Sequence, residues 1–517
     1  MADEQTDSGS GFLLCISSIF IITIVTFILL RIKRKRNALS KEIIVFTRYP
    51  IPGKAKTRLI PALGPKAAAR LQVIMTEHVV NSLQRVYHLD WSTQVTLQYN
   101  GGRKDQMEYW LSRKLCGMQC NYRQQAEGDL GTKLKSAVKD SFSRGNENVF
   151  VIGADIPGID VKVIGSAFDT LKLPQHDMVL GPAEDGGYYL IGFSRAALKY
   201  IDYIFDEIEW GTEKVFQQQL QKAKDLNAHV AVLPYKLRDV DTEEDISVFE
   251  GEVGVSREQL MDQAWSVIIP TLNEEHNIKK CIDSVLQQAT DTGNIREIVI
   301  SDGGSTDNTI TCVQELANTS PVPIHVVHSD PGRGSQLIAG TEQSTGEKLL
   351  FLHADTRLPH GYDTLALNCL STPGVVAGAF RFQLDILAEK DLQKKEPWWF
   401  ILQMKGLTWG TCVRGEKHEL PYGDQCLFLD RRTYRHVGGF PPFRLMEDYA
   451  MVKKLQTVGH VAIVTDAAAV TSYKRWRKWG YWRVTGLSQL IILAYTCGVH
   501  PDTLARWYYG NKTRSKS

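Results

Sequence analysis

The chain has 517 residues, 43% of them hydrophobic and 23% charged, and its 60 Lys and Arg nearly balance its 58 Asp and Glu for a net charge of +2. That length supports two or three domains with cores of their own, and the near-neutral balance excludes a nucleic-acid binder held by bulk charge. Nine cysteines stand singly; Cys116 and Cys120 are the nearest pair and no second pair follows at zinc-ligand spacing, so the thiols read as reduced.

After a short tail (1–10), residues 11–30, GFLLCISSIFIITIVTFILL, carry no charge and are long enough to span a bilayer. Asp3, Glu4 and Asp7 precede the run, and the basic segment 31–40, opening RIKRKR, follows it. A secretory signal has the reverse order. The expectation is an uncleaved single-pass membrane anchor, the protein's contact with the membrane, with its catalytic domains on the cytoplasmic side. The rival reading is an apolar helix packed in a soluble core.

From residue 41 the pattern becomes α/β. Strands are expected at 42–48, 93–100, 148–155, 177–185, 188–194 and 228–235, and a helix at 65–87. Strands alternating with helices imply a mostly parallel sheet over a first domain, 41–250. Residues 251–264 are charged and glycine-containing and read as a linker. The pattern then restarts over a second domain, 265–485: a strand in WSVIIPTLNEE (265–275), an amphipathic helix at 276–288 with Ile278, Ile282, Val285 and Leu286 on one face, and strands in IREIVISD, PIHVVHSD and EKLLFLHAD. Residues 486–517 form a tail. Ligands of such units sit beyond the carboxyl ends of the strands.

Acidic groups stand at those ends in the second domain: Asp302, Asp355 and the pair Glu447–Asp448. One Asp after a strand is ordinarily a turn or helix cap; three such positions in one unit point to a site. SVIIPTLNEE, SDGGSTDNT, HADT and MED, in that order, resemble the motifs of the family 2 inverting glycosyltransferases, which have a GT-A, nucleotide-diphospho-sugar transferase fold. GRGSQLIAG (332–340) is similar to a loop and helix of the subfamily found beside radical-enzyme genes in bacteria. The resemblance covers 265–485 and implies a nucleotide-sugar donor bound by Thr271, Glu274, Asp302, Arg333 and Gln336. It implies a divalent metal, Mn or Mg, held by Asp355 with His353 in place of the first acid of a D-x-D motif, Asp448 as general base and Glu447 beside it for positioning. A cation bound by oxygen ligands neutralises a departing diphosphate, imidazole suits manganese better than magnesium, and inversion needs a base within reach of the acceptor hydroxyl.

In the first domain, RYPIPGKAKTRL (48–59) places Arg48, Lys54, Lys56 and Arg58 around a Pro-Gly turn, which suits a phosphate-bearing ligand. Asp155 follows another strand, Asp185 precedes two glycines, and Asp239 and Asp241 come late. With PAEDGGYYLIG, these stretches resemble a nucleotidyltransferase-like, GT-A-related family whose relatives include the guanylyltransferases of deazaflavin coenzyme synthesis. That resemblance implies a divalent metal at Asp155, completed by Asp185 or Asp241, and a loop that contacts the nucleotide. The glycine-rich phosphate loop of the wider superfamily is reduced here to Gly53.

In the tail, Trp476, Trp479 and Trp482 recur every third residue among cations, one helical face that reads first as packing and second as a membrane or aromatic-acceptor surface. The fold expected is therefore α/β, two Rossmann-like GT-A domains behind a transmembrane helix. The function expected is a membrane-anchored, metal-dependent, inverting glycosyltransferase, bifunctional if the first domain makes the donor, with an unassigned acceptor. Two rivals stand beside it: a nucleotidyltransferase whose second domain only binds nucleotide-sugar, and a non-enzymatic nucleotide-sugar sensor.

Overall fold

The computed structural model describes residues 41–509. The anchor expected over 11–30 lies outside them. Among the described residues no helix is long and apolar enough to cross a membrane. The most apolar candidate, Tyr481–Thr496, has 16 residues, about 24 Å at the helical rise, against a hydrocarbon thickness of about 30 Å. The described residues accordingly form two α/β units with no transmembrane helix among them, which corrects the expected membrane-spanning architecture and leaves the single-pass membrane location without support from these residues. The chain divides into two compact units: up to Gly254 most of it forms the first, and Ile60–Leu71, Glu108–Lys114 and the chain from Val255 form the second.

The first unit holds a seven-stranded sheet. Its strands are β1 (Lys41–Arg48), β2 (Thr93–Asn100), β3 (Cys120–Gln124), β4 (Asn148–Gly153), β5 (Met178–Pro182), β6 (Tyr188–Ser194) and β7 (Val230–Val232), in the order β3-β2-β1-β4-β6-β5-β7. The expected helix over 65–87 is α1 (Ile60–Leu89). β3, β2, β1 and β4 run parallel, as alternation with helices requires, but β6 is antiparallel to both β4 and β5. The reason is the short hairpin at Ala183–Gly187, where Gly186 has φ +88° and a Cβ there would lie 2.1 Å from the Glu213 carbonyl. β1 reads Ile43-Ile44-Val45, buried throughout, as a central strand covered on both faces must be. Helix α2 (Leu130–Ser143) packs Leu134, Val138 and Phe142 onto Ile44, Val149 and Val151.

The second unit holds an eight-stranded sheet: β8 (Trp265–Thr271), β9 (Ile295–Asp302), β10 (Ile324–His328), β11 (Lys348–Phe351), β12 (Thr356–Arg357), β13 (Val375–Leu384), β14 (Phe428–Asp430) and β15 (His460–Thr471), in the order β10-β9-β8-β11-β14-β13-β15-β12. β10, β9, β8 and β11 are parallel; β14 is antiparallel to β11 and β13. Helix α3 (Ile278–Gln288) buries Ile278, Ile282 and Val285, the face its periodicity marks. α4 (Arg333–Gln343) lies so close to β8 that a Cβ on Gly340 would sit 2.5 Å from Ile268 Cγ2. Further helices of this unit that bear on the site are α5 (Trp398–His418), α6 (Glu447–Val458), α7 (Lys474–Trp479), α8 (Tyr481–Thr496) and α9 (Pro501–Tyr509). The three tail tryptophans do not share a face: Gly480 at φ +83° breaks the helix between them, so Trp476 is 8% exposed while Trp482 is 77% exposed.

Buried Arg431 fixes the turn that leads from α4 into β11. Its Nε donates to the Gly346 carbonyl (2.7 Å), Nη1 to that of Thr341 (3.1 Å) and Nη2 to Ser344 Oγ (2.8 Å). Arg431→Leu removes three buried hydrogen bonds, only the Ser344 hydroxyl still reaching the Thr341 carbonyl, and chemical denaturation should register a loss of about 3 kcal/mol.

Candidate functional site

The carboxyl ends of the parallel strands assemble the site in the second unit. β8 ends at Thr271, and the segment after β11 carries His353, Ala354 and Asp355. The first turn of α4 brings Arg333 and Gln336. Gly334 lets that turn abut the 441–443 backbone: its N–H donates to the Phe443 carbonyl at 2.9 Å, and a Cβ would lie 2.3 Å from the Pro441 oxygen. This approach sets Arg333 Nη1 3.1 Å from Glu447 Oε1 and 3.8 Å from Asp448 Oδ2, at the start of α6. α6 itself begins from Met446, a non-glycine residue at φ 73°.

Two cavities meet there. The larger, about 520 Å3, is lined by Thr271, Glu274, Arg333, Gln336, His353 and Asp355, six of the residues expected from sequence. The smaller, about 190 Å3, takes Glu447 and Asp448 into its wall. Arg333, Asp424, Arg475 and Trp476 line both.

Individual roles differ from expectation in places. Asp302 is 2% exposed and does not line the cleft. Its carboxylate accepts from the backbone N–H of Gly304 and Ser305 and from Ser305 Oγ, so it closes the turn after β9 rather than offering a free acceptor. Gln336 spends its amide on the Thr271 and Ser301 carbonyls (2.7 and 3.0 Å), bracing the ends of β8 and β9. Thr271 Oγ1 is buried in the cleft wall without a partner among the described residues. Glu274 accepts from Asn277 at 2.7 Å, and burial, with Asp355 adding to it, raises its pKa.

His353, expected as a metal ligand, stands beside an acid. Its Nδ1 lies 2.9 Å from Asp424 Oδ1. Burial and Arg333 push the imidazole pKa down, but Asp424 outweighs them and the net shift is upward. Despite its burial, the contact with His353 holds the Asp424 carboxyl well below the usual carboxylate range. Gly423 makes the convergence possible: a Cβ there would stand 2.3 Å from His353 Nε2 and 2.4 Å from Asp448 Oδ2, and its N–H donates to Asp448 Oδ2 at 3.0 Å.

Among the described residues no three His, Cys, Asp or Glu side chains converge to hold a metal, and Asp355 forms no ion pair. Loss of water, then Asp424, raises the Asp355 pKa against His353 and Arg333. One or two carboxylates completed by substrate phosphates and water is the way magnesium-type ions are held at phosphate sites, so Asp355 with Asp424 fits such an ion as a partial donor set.

Asp424 is the residue that sequence reasoning missed, while Trp476, read from sequence first as packing, lines both cavities. Asp424 stands in GDQCLFLD (423–430), and its only signal was an acid beside a glycine ahead of a strand.

In the first unit the basic loop turns onto acids. Lys56, a non-glycine residue at φ 45°, has a side chain only 5% exposed. Its Nζ donates to the Val240 carbonyl (2.6 Å) and to Asp241 (3.2 Å), with Asp155 at 3.5 Å. Arg58 pairs with Asp241 at 2.8 Å, Arg48 donates to the Lys54 carbonyl, and Lys54 is exposed. Asp155 and Asp185 line a cavity of about 330 Å3 together with Asp239 rather than Asp241. Burial and the three neighbouring aspartates push the Asp239 carboxyl up to about 6.

Comparison with known proteins places two domains on the chain. Residues 266–417 match the model described as Glycosyl transferase family 2, and residues 83–212 match one described as an uncharacterized protein conserved in bacteria (DUF2064). A PGL/p-HBAD biosynthesis glycosyltransferase of Mycobacterium tuberculosis (strain ATCC 25177 / H37Ra) is 38% identical over 104 residues, 20% of this chain and 39% of that protein. The chain thus spans about two fifths of that relative. A crystal structure from Desulfovibrio desulfuricans G20, provisionally named a nucleotide-diphospho-sugar transferase, aligns at 31% identity over 43% of this chain and 93% of that one (TM-score 0.35). The mannosyltransferase PcManGT from Pyrobaculum calidifontis, in complex with GDP-Man and Mn2+, aligns at 22% identity over 46% and 66% (TM-score 0.33). The second unit carries a family 2 glycosyltransferase domain, and the first a DUF2064 domain.

Glu447 offers a pH test. It is buried, and loss of water followed by Asp448 pushes its carboxyl up to about 7, over the opposing pull of Arg333. A raised carboxyl pKa favours folding fully below the unfolded value of 4.5, and that contribution is lost as pH rises through about 7. Glutamine does not titrate. The melting temperature of Glu447→Gln relative to wild type should therefore climb between pH 5 and pH 8, as read by thermal denaturation.

Proposed function

We propose that the second unit transfers a sugar, with inversion, from a nucleotide-diphospho-sugar to a hydroxyl acceptor. The observation that carries this reading is the junction of the two cavities at Arg333 and Asp424, with Asp355 lining one and Asp448 the other. The larger cavity takes the donor. Thr271, through its unpartnered hydroxyl, and Glu274 meet the nucleoside, Gln336 keeps Thr271 in place, and Arg333 faces the diphosphate. A divalent cation held by Asp355 and Asp424 would neutralise the charge on that diphosphate as a Lewis acid. Asp448 Oδ2 is anchored by the Gly423 N–H, and its carboxylate takes the proton of the acceptor hydroxyl. The acceptor oxygen bonds to the anomeric carbon, the bond from that carbon to the diphosphate oxygen breaks, and its electron pair leaves on the diphosphate. Glu447 holds Arg333 across the junction.

A second reading concerns the first unit and rests on the cavity lined by Asp155, Asp185 and Asp239. There the unit binds a nucleotide with a divalent cation and joins a nucleoside monophosphate to a phosphate-bearing acceptor, preparing a donor. If this were the chain's sole chemistry, pyrophosphate would be released with no sugar transfer at all.

The roles separate by mutation. Asp355→Ala should weaken donor binding and blunt its response to manganese, whereas Asp448→Asn should leave donor affinity unchanged while transfer falls by about a hundredfold or more. Donor titrations with and without manganese, beside nucleotide diphosphate release, read both; a wild-type manganese response in Asp355→Ala removes the metal role. For the first unit, Asp155→Ala in the full chain should weaken magnesium-dependent nucleoside triphosphate binding while leaving donor binding by the second unit intact, as measured by calorimetry.

A further inference from the structure

The smaller cavity has a composition of its own. Its outer wall is apolar: Phe382, Trp476, Val484 and Ile491 line it, each less than 9% exposed. Its volume of about 190 Å3 compares with the roughly 150 Å3 apolar cavity that stays dry and takes up benzene, so it suits one substituted ring. Its polar groups, Asp448, Glu447 and Arg414 among them, stand beside this apolar patch, so a guest with one apolar face and polar substituents fits it.

Two buried polar atoms in the lining have no partner among the described residues: the Trp476 indole N–H and Thr485 Oγ1. Buried polar groups are ordinarily hydrogen-bonded, and each exception asks for an explanation. An indole N–H only donates. Arg414, also in the lining, is donor-only too; its guanidinium stacks 3.6 Å from the Tyr422 ring centroid, Nε donates to the Leu420 carbonyl, and it forms no ion pair among the described residues. A guest that satisfies such a lining brings an oxygen acceptor. At the opposite end, Asp448 waits for a hydroxyl.

We propose that the acceptor is a hydroxylated single-ring aromatic bearing a carbonyl or carboxylate oxygen. The ring lies among Phe382, Trp476, Val484 and Ile491, its oxygen substituent takes the orphan donors, and its hydroxyl faces Asp448. This rests on the transferase reading for its last step. In that step the phenolic oxygen bonds to the anomeric carbon, its proton passes to Asp448, and the diphosphate leaves with the electron pair of the broken bond.

Binding can be measured apart from transfer. Equilibrium dialysis of the full chain against 4-hydroxybenzoate, 4-hydroxybenzaldehyde, phenol and methyl glucoside should rank the first two above phenol, with methyl glucoside unbound. Ile491→Trp fills the cavity and should weaken the best ring ligand at least about tenfold, taking 1.4 kcal/mol as tenfold in affinity. Thr485→Val keeps the shape and should reduce the advantage of 4-hydroxybenzaldehyde over phenol. Nucleotide binding in the same samples shows that each variant is folded. Ring ligands that ignore both substitutions, or that bind no better than methyl glucoside, overturn the proposal. Nucleotide diphosphate release from a panel of nucleotide-sugars in the presence of the best ring ligand tests the transferase reading separately. If that release is absent while ring binding follows the two substitutions, the transferase reading falls and the ring site stands.

Discussion

The second unit depends on how a cluster of charge at the strand ends is balanced. Asp355, Asp424, Glu447 and Asp448 converge there, and Arg333, with His353 beside Asp424, is the cation at their centre. Burying four carboxylates together is costly unless they are paired or protonated. The protein divides the burden. Asp424 takes His353, Arg333 spans Glu447 and Asp448, and Glu447 shifts upward toward neutral pH. Asp355 is left without an ion pair, which is why a cation from solution fits beside it. Removing Arg333 would unbalance both cavities at once, since it lines both.

Close packing of backbone is the second constraint. Gly334, Gly340 and Gly423 each occupy a spot where a Cβ would come within 2.5 Å of another atom. Gly340 brings α4 onto β8, Gly334 brings its first turn onto the chain ahead of α6, and Gly423 admits the His353 ring and the Asp448 carboxylate to one point. Around them Asn273, Cys426 and Met446 adopt positive φ without being glycine. Such backbone persists where surrounding structure over-determines it, and it collects near functional sites.

Much of this was legible in the sequence, and the limits have physical causes. The parallel strands announced themselves as short apolar runs ending in acids, and six of the expected residues line one cleft because strand ends on one edge of a sheet are neighbours by construction. β13 and β15 escaped notice: Ala- and Gly-rich VVAGAF and the half-exposed DAAAVT lack the bulky alternation that marks a strand. At Asp302 the turn contacts were not legible, because a turn cap and a ligand acceptor look the same in one dimension. Asp424 carried no pattern, since its importance comes from His353, 71 positions away. In the first unit the cations of the 48–58 loop were visible but their partners, Asp155 and Asp241, were not.

The two cavities also divide along the chain. Thr271, Glu274, Arg333, Gln336, His353 and Asp355 all fall within the 266–417 match to the family 2 glycosyltransferase model. Asp424, Glu447 and Asp448 lie beyond it, as do Trp476, Val484, Thr485 and Ile491 of the smaller cavity. The larger cavity thus draws most of its expected residues from the matched stretch, while the smaller one joins Phe382, Thr411 and Arg414 of that stretch to residues that follow it. Gly480 matters here for a mechanical reason: by breaking the helix between α7 and α8 it lets Trp476 and Val484, on either side of the break, turn to the same cluster with Phe382. An unbroken helix would carry Trp476, Trp479 and Trp482 along one side and could not close that wall. Closing it matters because water competes with any acceptor hydroxyl for the sugar, and an apolar wall keeps water out of the space that the acceptor must occupy.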